Sequence, residues 1–490
     1  MRPRPATMAI TLTLVASALG ATLGASQAQA SASAFNRSTP AAVAAATTLP
    51  FSFHATAFAA YPVAPAKLPF AQSGVIPKKI TKPHDSTGVV MRKVGTRLYN
   101  HAYLQAAFGM ANLDSYRLSK NKFYLNRAVA QAKRIIATRV ASGGAWFYPY
   151  RFNFSLHGKT SDVMKAPWYS AMAQGVSLAL FSRLYSTTKT KLWATAAAQT
   201  FNSFLVKPSA TKPWVVHSDT GRYLWLEEYP RWPITRSDYT YNGHMFAITG
   251  LYDYYRLTKS PLVLKFYRGA LTTVLHYFPS YRVRGWQSFY CLKHHQAAGH
   301  YHSIHASQYG WFWSMTHYRA FANGADRFND DYSSMATKGS VFFSKGAHRA
   351  YKFSKTGAIT ASRNINFTRN SLARASLRVQ VYKRGIYYVM GNGTLSGWSI
   401  PERSGTSYLR GIYRGYSYTP ARTARFPKGT IVAYGYNRSG IAASSKPLKL
   451  ISSSLASVSA RAVVNGQWYV RVSNGSLAGL WVLKSKVTFI

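Results

Sequence analysis

The chain has 490 residues and a formal net charge of +49, from 61 Lys and Arg against 12 Asp and Glu. Hydrophobic residues make up 47% and aromatic residues 15%, which excludes a disordered polyelectrolyte and predicts at least two packed cores. The single cysteine excludes an internal disulfide, so packing must supply the stability.

The N-terminus has the features of an export signal. Arg2 and Arg4 precede an apolar run that begins at Met8, and small residues up to Ala30 form a cleavage site. We predict cleavage near Ala30 and a secreted or cell-wall-associated protein of bacterial type, with an uncleaved membrane anchor as the alternative. Residues 31–76, rich in Ala, Ser, Thr and Pro, are expected to form a flexible linker. The charge then favours an acidic polysaccharide or another anionic polymer over nucleic acid as partner.

A short phrase recurs at intervals of about seventy residues, at Tyr116–Lys120, Tyr185–Lys189 and Tyr255–Lys259. Each copy ends one amphipathic stretch, and a second stretch follows a turn that contains Ser, Thr or Asn, which predicts antiparallel helix pairs. A fourth pair is predicted within residues 309–328. Four such pairs around an axis would make a mainly α domain, an incomplete α/α toroid, over residues 77–337.

After the helical region the sequence changes to short alternating runs separated by Gly and Asn turns, which is typical of β-structure. The runs form a tandem repeat with an offset of 83 residues, in which Trp398 pairs with Trp481. We predict two small all-β repeats, over residues 338–420 and 421–490, similar to SH3-type wall-binding barrels. One acid among many Lys and Arg predicts that they bind an anionic cell-wall polymer, with a merely solubilising surface as the alternative.

Residues with reactive side chains concentrate in the loops between the predicted helix pairs. They are Glu227, Glu228, Tyr229, Tyr290, Lys293, His294, His295, His300, Tyr301, His302 and His305. Cations beside an acidic sugar would neutralise its carboxylate and acidify the proton on the neighbouring carbon. We expect nearby cations to lower the tyrosine pKa values as well, so that a phenol can share the proton transfer. Return of the proton from the opposite face inverts the carbon, whereas loss of a leaving group gives elimination, so epimerases and lyases share the first step.

Five motifs, in order, resemble the C-terminal catalytic domain of the D-glucuronyl C5-epimerase family. They are PWYSAMAQG, LEEYP, YNGHMFAITGLYDYY, YCLKH and YHSIHASQ, between residues 167 and 308. The resemblance covers roughly residues 140–335. It implies a fold that is largely an α/α toroid, and a reaction that converts glucuronate within a glycan to iduronate through a C5 carbanion, without a cofactor.

The same resemblance implies roles for individual residues. Glu228 and Tyr301 correspond to an acid/base pair, and Tyr229 and Tyr290 to residues that orient the uronate and stabilise the intermediate. Glu227 corresponds to a less critical neighbour. The candidate substrate-binding residues are Lys293, His294, His302, His305, Gln174, Asn242 and Arg151. Lys293 stands where the family has an arginine, and a lysine lacks the bidentate fork that grips a carboxylate.

Other interpretations of the same residues stay open. His302, His305 and His294 could hold a metal, but no Cys cluster or suitably spaced acid accompanies them, so we expect no metal and no cofactor. Cys291 could be a nucleophile, although burial as a small apolar group is favoured. A polyuronate lyase and a noncatalytic binder of anionic glycans or cell walls are the alternatives to an epimerase.

Overall fold

The computed structural model describes residues 49–332, 339–354, 357–437 and 439–490. The predicted signal peptide and residues 31–48 of the predicted linker lie outside the described residues. Contacts divide the chain into two units. The helical unit comprises the described part of Met1–Tyr281, with Phe289–Tyr301 and Trp311–Tyr318, and the second unit comprises Arg282–Ser288, His302–Gly310 and the described part of Arg319–Ile490. Over the ranges that the structure describes, no helix has both the length and the apolar character needed to span a membrane.

Eight α-helices follow one another in the described ranges, and contacts within the first three predicted pairs confirm them, whereas the pairing of the last two helices stays a prediction. They are α1 (Ala102–Ser119), α2 (Lys122–Ala137), α3 (Ala171–Thr188), α4 (Lys191–Asn202), α5 (Tyr241–Thr258), α6 (Pro261–Tyr281), α7 (Tyr301–Thr316) and α8 (Arg319–Asp331). The arrangement of these pairs as an incomplete toroid stays a prediction.

The recurring sequence phrase is the end of the first helix in each pair. Lys120, Lys189 and Lys259 have left-handed backbones, with φ of 57°, 58° and 58°, and His317 follows the end of α7 with φ of 51°. Each lysine donates its N–H to the carbonyl of the tyrosine four residues earlier, which satisfies a carbonyl at the helix end. The second helix begins two residues later. The phrase therefore encodes a two-residue connection that reverses the chain.

The first helices of successive pairs pack side by side, α1 against α3 and α3 against α5. Glycines allow α3 and α5 to approach through their backbones. A Cβ at Gly175 would overlap the backbone of Ala247, and a Cβ at Gly250 would overlap the carbonyl group of Gly175. A larger side chain at either glycine would force these helices apart, because neither overlap involves a side chain that can move away.

Residues 49–76 pack against the helical unit, so the prediction of a flexible linker was wrong for this part. Phe53 and Phe58 are buried. The ring of Phe53 occupies the space that a Cβ at Gly269 of α6 would need. Ala, Ser and Pro content pointed to flexibility, but aromatic side chains spaced along the segment gain enough from burial to fix an extended chain. We call residues 49–76 the N-terminal strap.

Short antiparallel hairpins occupy the connections before and between the helix pairs. They pair β1 (Arg92–Val94) with β2 (Arg97–Tyr99), β3 (Val140–Ser142) with β4 (Ala145–Phe147), β5 (Phe154–Ser155) with β6 (Val163–Met164), and β7 (Val216–Ser218) with β8 (Leu224–Leu226).

The C-terminal part consists of two antiparallel seven-stranded sheets. The strands are β9 (Gly339–Phe343), β10 (Gly346–Phe353), β11 (Ile359–Phe367), β12 (Ser371–Val381), β13 (Gly385–Met390), β14 (Ser399–Pro401), β15 (Ser407–Leu409), β16 (Ile412–Phe426), β17 (Gly429–Tyr436), β18 (Ala442–Leu450), β19 (Ser454–Val464), β20 (Gln467–Val472), β21 (Trp481–Leu483) and β22 (Thr488–Phe489). The order β11-β10-β14-β13-β12-β9-β15 recurs as β18-β17-β21-β20-β19-β16-β22. The SH3-like barrel stays a prediction, and the second sheet begins at Ile412 rather than at residue 421.

The strand register corrects one detail of the predicted repeat. Tyr351 pairs with Ser399 in the first sheet, and Tyr434 pairs with Trp481 in the second. Trp481 therefore matches Ser399 and not Trp398. The offset changes because the turn between β19 and β20 is one residue shorter than the turn between β12 and β13.

Candidate active site

The Glu227–Glu228 pair directly follows β8, and its backbone is fixed on two sides. The N–H of Glu227 donates to the carbonyl of Val215 at 2.8 Å, and its carbonyl accepts from the N–H of Ala171 at 2.7 Å. Ala171 is the first residue of α3. The backbone of Glu227 is therefore bonded to the residue before β7 and to the first residue of α3. These two hydrogen bonds fix the segment that carries both carboxylates.

The two neighbouring glutamates have different surroundings. Glu227 is fully buried, with Oε1 3.2 Å from His217 Nε2 and Oε2 3.3 Å from the N–H of Tyr239. Glu228 is 3% exposed, and its Oε2 lies 3.5 Å from the Tyr290 hydroxyl. A Cβ at Gly243 would overlap the Glu228 carboxylate, so α5 leaves room for this group. Glu227 is built into the packing, whereas Glu228 faces tyrosine hydroxyls.

Glu228 is unusual among the acids of this basic chain. All twelve acids lie in the described ranges, and ten of them have an Arg or His partner within salt-bridge distance. Of the other two, Asp219 accepts from Trp225 Nε1 at 2.9 Å and from the Tyr277 hydroxyl at 2.5 Å. Within the part of the chain that the structure describes, Glu228 is therefore a buried carboxylate without a basic partner.

Three tyrosines of the sequence motifs lie near this carboxylate. The hydroxyls of Tyr229 and Tyr290 lie 3.4 Å apart, and the rings of Tyr290 and Tyr301 have their centres 5.0 Å apart. The Tyr229 ring stacks on Phe154, with 5.7 Å between ring centres. All three tyrosines line a cavity of about 410 Å³. The structure thus brings Glu228, Tyr229, Tyr290 and Tyr301 to one place.

Burial dominates the protonation behaviour of the site. It raises the pKa of Glu228 to about 8, with a further contribution from the negative charges of Asp238 and Glu227, against hydrogen bonds from Tyr229 and Tyr290. A carboxyl group with such a pKa can hold or release a proton near neutral pH, as an acid/base catalyst must.

The expectation that cations lower the tyrosine pKa values was wrong. Burial, followed by the charge of Glu228, raises the pKa of Tyr229 and Tyr290 well above 10. The pKa of Tyr301 is also raised by burial and Glu228, and the positive charge of Arg92 opposes this only in part. The phenols therefore stay protonated at neutral pH and are suited to donate protons.

Three of the predicted substrate-binding residues are buried and serve the packing. Gln174 donates to a backbone carbonyl at 2.7 Å and to a serine hydroxyl at 2.8 Å. His302 and His305, in the second unit, both reach Ser288, with Nδ1 to Oγ distances of 3.0 and 2.8 Å. Buried polar groups that are already hydrogen-bonded do not need a ligand to account for them. These contacts speak against their prediction as glycan ligands.

The other predicted substrate-binding residues have varied surroundings. Lys293 is exposed, and its Nζ donates to the carbonyl of Arg236 at 2.6 Å. Arg151 is exposed and Asn242 is buried in α5. His294 lies with Nδ1 2.7 Å from the Asp238 carboxylate. Lys293 is thus tied to the backbone and does not reproduce the grip of an arginine.

Sequence reasoning missed four residues of this region, namely Arg92, Phe154, His157 and Asp238. Phe154 and His157 line the cavity from the β5–β6 hairpin, and Asp238 lies three residues before the first residue of α5. None of them stands in one of the motifs. The rarity of acids was a signal that could have found Asp238, since a fully buried acid in so basic a chain requires partners.

Comparison with known proteins agrees with the motifs. The family model described as the D-glucuronyl C5-epimerase C-terminus matches residues 142–330. A D-glucuronyl C5-epimerase of Caenorhabditis elegans is 23% identical over 203 residues, which are 38% of this chain and 31% of that protein. The chain therefore matches less than a third of the length of this curated relative.

Similarities to solved structures are distant. Cellobiose 2-epimerase of Bacillus thermoamylovorans is 13% identical, with a TM-score of 0.35 over 47% of this chain and 59% of that chain. The unsaturated glucuronyl hydrolase of a Streptococcus agalactiae strain is 13% identical, with a TM-score of 0.32 over 46% of this chain and 57% of that chain. Similarities at this level assign neither a fold nor a function.

Proposed function

We propose, from the match of residues 142–330 to the D-glucuronyl C5-epimerase C-terminus, that the site inverts C5 of D-glucuronate residues in an acidic glycan to give L-iduronate. The observation that carries the proposal is the Glu228 carboxylate, which lies beside the hydroxyls of two tyrosines that line the cavity and has no basic partner in the described ranges. A carboxylate already neutralised by Arg would be a weaker base.

Glu228 acts as the base in the forward direction. Its ionised carboxylate takes the proton from C5, and the electron pair that is left spreads onto the uronate carboxylate as an enolate. The protonated hydroxyls of Tyr229 and Tyr290 donate hydrogen bonds to the oxygens where this charge develops. Their raised pKa values keep both protons in place during this step.

Tyr301 acts as the acid from the opposite face of the sugar ring. Its phenol donates a proton to C5, which restores the C–H bond with inverted configuration. Glu228 is then protonated and Tyr301 is ionised, and exchange with solvent returns both groups to their starting states. The reaction forms and breaks one C–H bond and needs no oxidant, reductant or leaving group.

Arg92 is the proposed partner of the substrate carboxylate. It is an exposed residue of β1, and its charge acts on Tyr301. A guanidinium group binds a carboxylate in bidentate fashion, which Lys293, already bonded to a backbone carbonyl, does not provide. Neutralising the substrate carboxylate also stabilises the enolate.

The test is incubation of the full chain with a panel of glucuronate polymers in heavy water, followed by proton NMR. Deuterium at C5 together with new iduronate signals and intact chains is the expected result. Unsaturated uronate, measured by absorbance, would establish the polyuronate lyase, because elimination begins with the same proton removal. Absence of exchange on the panel, with retained glycan binding, would overturn the catalytic proposal in favour of a noncatalytic binder.

We further propose a secreted or cell-wall-associated protein whose C-terminal sheets bind an anionic polymer. Arg374, Arg425, Lys428 and Lys449 are exposed there. Changing these four residues to Gln should weaken retention on an anionic wall polymer at low salt, and the loss should shrink as salt is added. Equal retention of the variant and the unaltered protein at low salt would contradict this role.

A further inference from the structure

A second cluster of side chains adjoins the proposed catalytic site. His157, Asp238, Cys291 and His294 each offer one ligand-type atom, and these atoms all lie within 4.8 Å of one another. His157 is on the cavity wall, and its ring centre lies 5.6 Å from that of Tyr290. The proposed proton transfers use none of these four residues.

The distances within the cluster match a tetrahedral metal site. Asp238 Oδ1 lies 3.2 Å from His157 Nε2 and 2.7 Å from His294 Nδ1. Cys291 Sγ lies 3.5 Å from His157 Nε2 and 3.7 Å from His294 Nδ1. Zinc bond lengths give tetrahedral edges of about 3.4 Å between nitrogen and oxygen and about 3.6 Å between nitrogen and sulfur. Three of these four contacts are close to those values, and the fourth, between Asp238 and His294, would have to open. The two remaining pairs of ligand atoms lie within 4.8 Å.

The surroundings supply the outer support that metal ligands require. His294 Nε2 lies 3.0 Å from Asp162 Oδ2, so a carboxylate is within ion-pair distance of its second ring nitrogen, and Asp162 also pairs with Arg231. The Thr240 hydroxyl donates to Asp238 Oδ2 at 2.8 Å. A carboxylate on the far nitrogen fixes the tautomer and orientation of a ligating imidazole.

Charge and burial also favour a divalent ion. Asp238 and Cys291 are fully buried, and His157 and His294 have side chains 5% and 15% exposed. A carboxylate, a thiolate and two neutral imidazoles carry two negative charges, which a divalent ion balances. Thiolate and imidazole ligands in a tetrahedral arrangement select zinc over magnesium or calcium.

We propose that His157, Asp238, Cys291 and His294 form a structural zinc site. The four ligands come from the β5–β6 hairpin, the segment before α5 and the loop that follows Tyr290. With four protein ligands the ion is closed to substrate and acts by joining these three segments. Cys291 directly follows Tyr290, so the ion fixes the backbone that carries this tyrosine.

The test measures metal binding by the full chain, independently of turnover. After removal of metal with a chelator, zinc is titrated in competition with a chromophoric chelator, and cobalt is added separately as a spectroscopic probe. We expect one tightly bound zinc per chain and, with cobalt, the intense band of thiolate coordination. Since Cys291 is the one cysteine of the chain, this band can come from no other residue.

Matched variants separate ligands from bystanders. Cys291→Ser should lose the cobalt–thiolate band and most of the zinc affinity, whereas Cys291→Asp, which keeps an anionic ligand, should lose the band but retain zinc. Asp162→Asn should weaken zinc roughly 10–100-fold by loosening His294. The control is His295→Ala, an exposed neighbour on the same loop, which should bind zinc normally.

Absence of stoichiometric zinc binding by the unaltered chain would overturn the proposal. So would a cobalt spectrum without the thiolate band, or equal zinc affinity of the chain and Cys291→Ser. If Cys291→Ser does not fold, the band in the unaltered chain and its loss in Cys291→Asp decide the matter. Each readout stands whether or not the glycan activity is found, so failure of one proposal leaves the other open to its own test.

Discussion

Two carboxylates in the same group of loops are treated in opposite ways. Glu228 is surrounded by phenols, and burial raises its pKa to about 8. At Asp238 burial would also raise the pKa, but hydrogen bonds from His157, Thr240 and His294 outweigh it, and the pKa is lowered. Both side chains are almost fully buried. The opposite pKa shifts of these two carboxylates therefore come from their different partners and not from different burial.

This comparison explains how a chain with 61 basic residues holds a reactive acid. Ten of its twelve acids lie within salt-bridge distance of an Arg or His side chain. Glu228 instead occupies the room that Gly243 leaves on α5, beside the hydroxyls of Tyr229 and Tyr290. The surroundings of Asp238 suit the binding of a cation, and those of Glu228 suit the movement of a proton.

The largest expected effect comes from removing the base. Glu228→Gln keeps the shape of the side chain but cannot accept a proton, so we expect deuterium exchange at C5 to fall roughly 10²–10⁴-fold. Glu227→Gln is the matched control, because it alters the adjacent glutamate, whose contacts are to His217 and Tyr239. Equal losses of deuterium exchange in the two variants would contradict the assignment of the base to Glu228 rather than to Glu227.

Removal of the acid should have a similarly large but separable effect. Tyr301→Phe deletes one hydroxyl, so we expect turnover to be lost while glycan binding, measured by calorimetry, stays within a few-fold. Because Glu228 is still present, slow washout of the C5 proton with return to the same face is the expected residual reaction. Near-normal inversion by this variant would remove Tyr301 from the mechanism.

The pH dependence follows from the raised pKa of Glu228. A base must be ionised, so kcat/KM should fall about tenfold per unit as pH drops below about 8, and level off above it. The ionisable groups that act on Glu228 are Tyr229, Tyr290, Tyr103, Tyr150, Tyr301, Glu227 and Asp238. Since the tyrosine pKa values are raised above 10, no second limb is expected up to that pH. A limb near pH 4–5 instead would mean that the base has ordinary solvation.

The smallest effect is expected from changing Arg92, the exposed cation that is the proposed partner of the substrate carboxylate. Arg92→Gln should raise KM for the glucuronate polymer roughly ten-fold or more, in line with the loss of a charge-assisted hydrogen bond, and change kcat less. Lys293→Gln is the comparison variant and should have the weaker effect, because its ammonium group is occupied by a backbone carbonyl. A larger increase in KM for Lys293→Gln than for Arg92→Gln would indicate that Lys293, and not Arg92, binds the substrate carboxylate.

The helix pairs and the candidate site residues were accessible from sequence because local rules or ordered motifs specify them. The lysine at the end of each tyrosine phrase marks a helix end by its own backbone hydrogen bond, and this works without tertiary context. Glu228 and the three tyrosines stand in ordered motifs. These four residues could therefore be assigned to one candidate site before any distance between them was known.

What the sequence could not supply depends on contacts between distant segments. His157 reaches Asp238 and Cys291 only because three loops converge, and no spacing rule links these positions. The sign of the tyrosine pKa shifts was missed for the same reason, since net charge does not reveal that burial outweighs cations locally. The predicted match of Trp398 with Trp481 was wrong because one turn of the second repeat is one residue shorter, and composition does not reveal such a change.

The N-terminal strap has a consequence for the order of events in folding. Its Thr56 N–H bonds to the Thr272 hydroxyl at 2.8 Å, and the carbonyl of Tyr61 accepts from the Tyr252 hydroxyl at 2.6 Å. The strap is synthesised before α5 and α6. The residues of these helices that bind it follow about two hundred residues later in the chain. It must therefore dock late, and until α5 and α6 have formed its aromatic side chains remain available to chaperones or to a neighbouring chain.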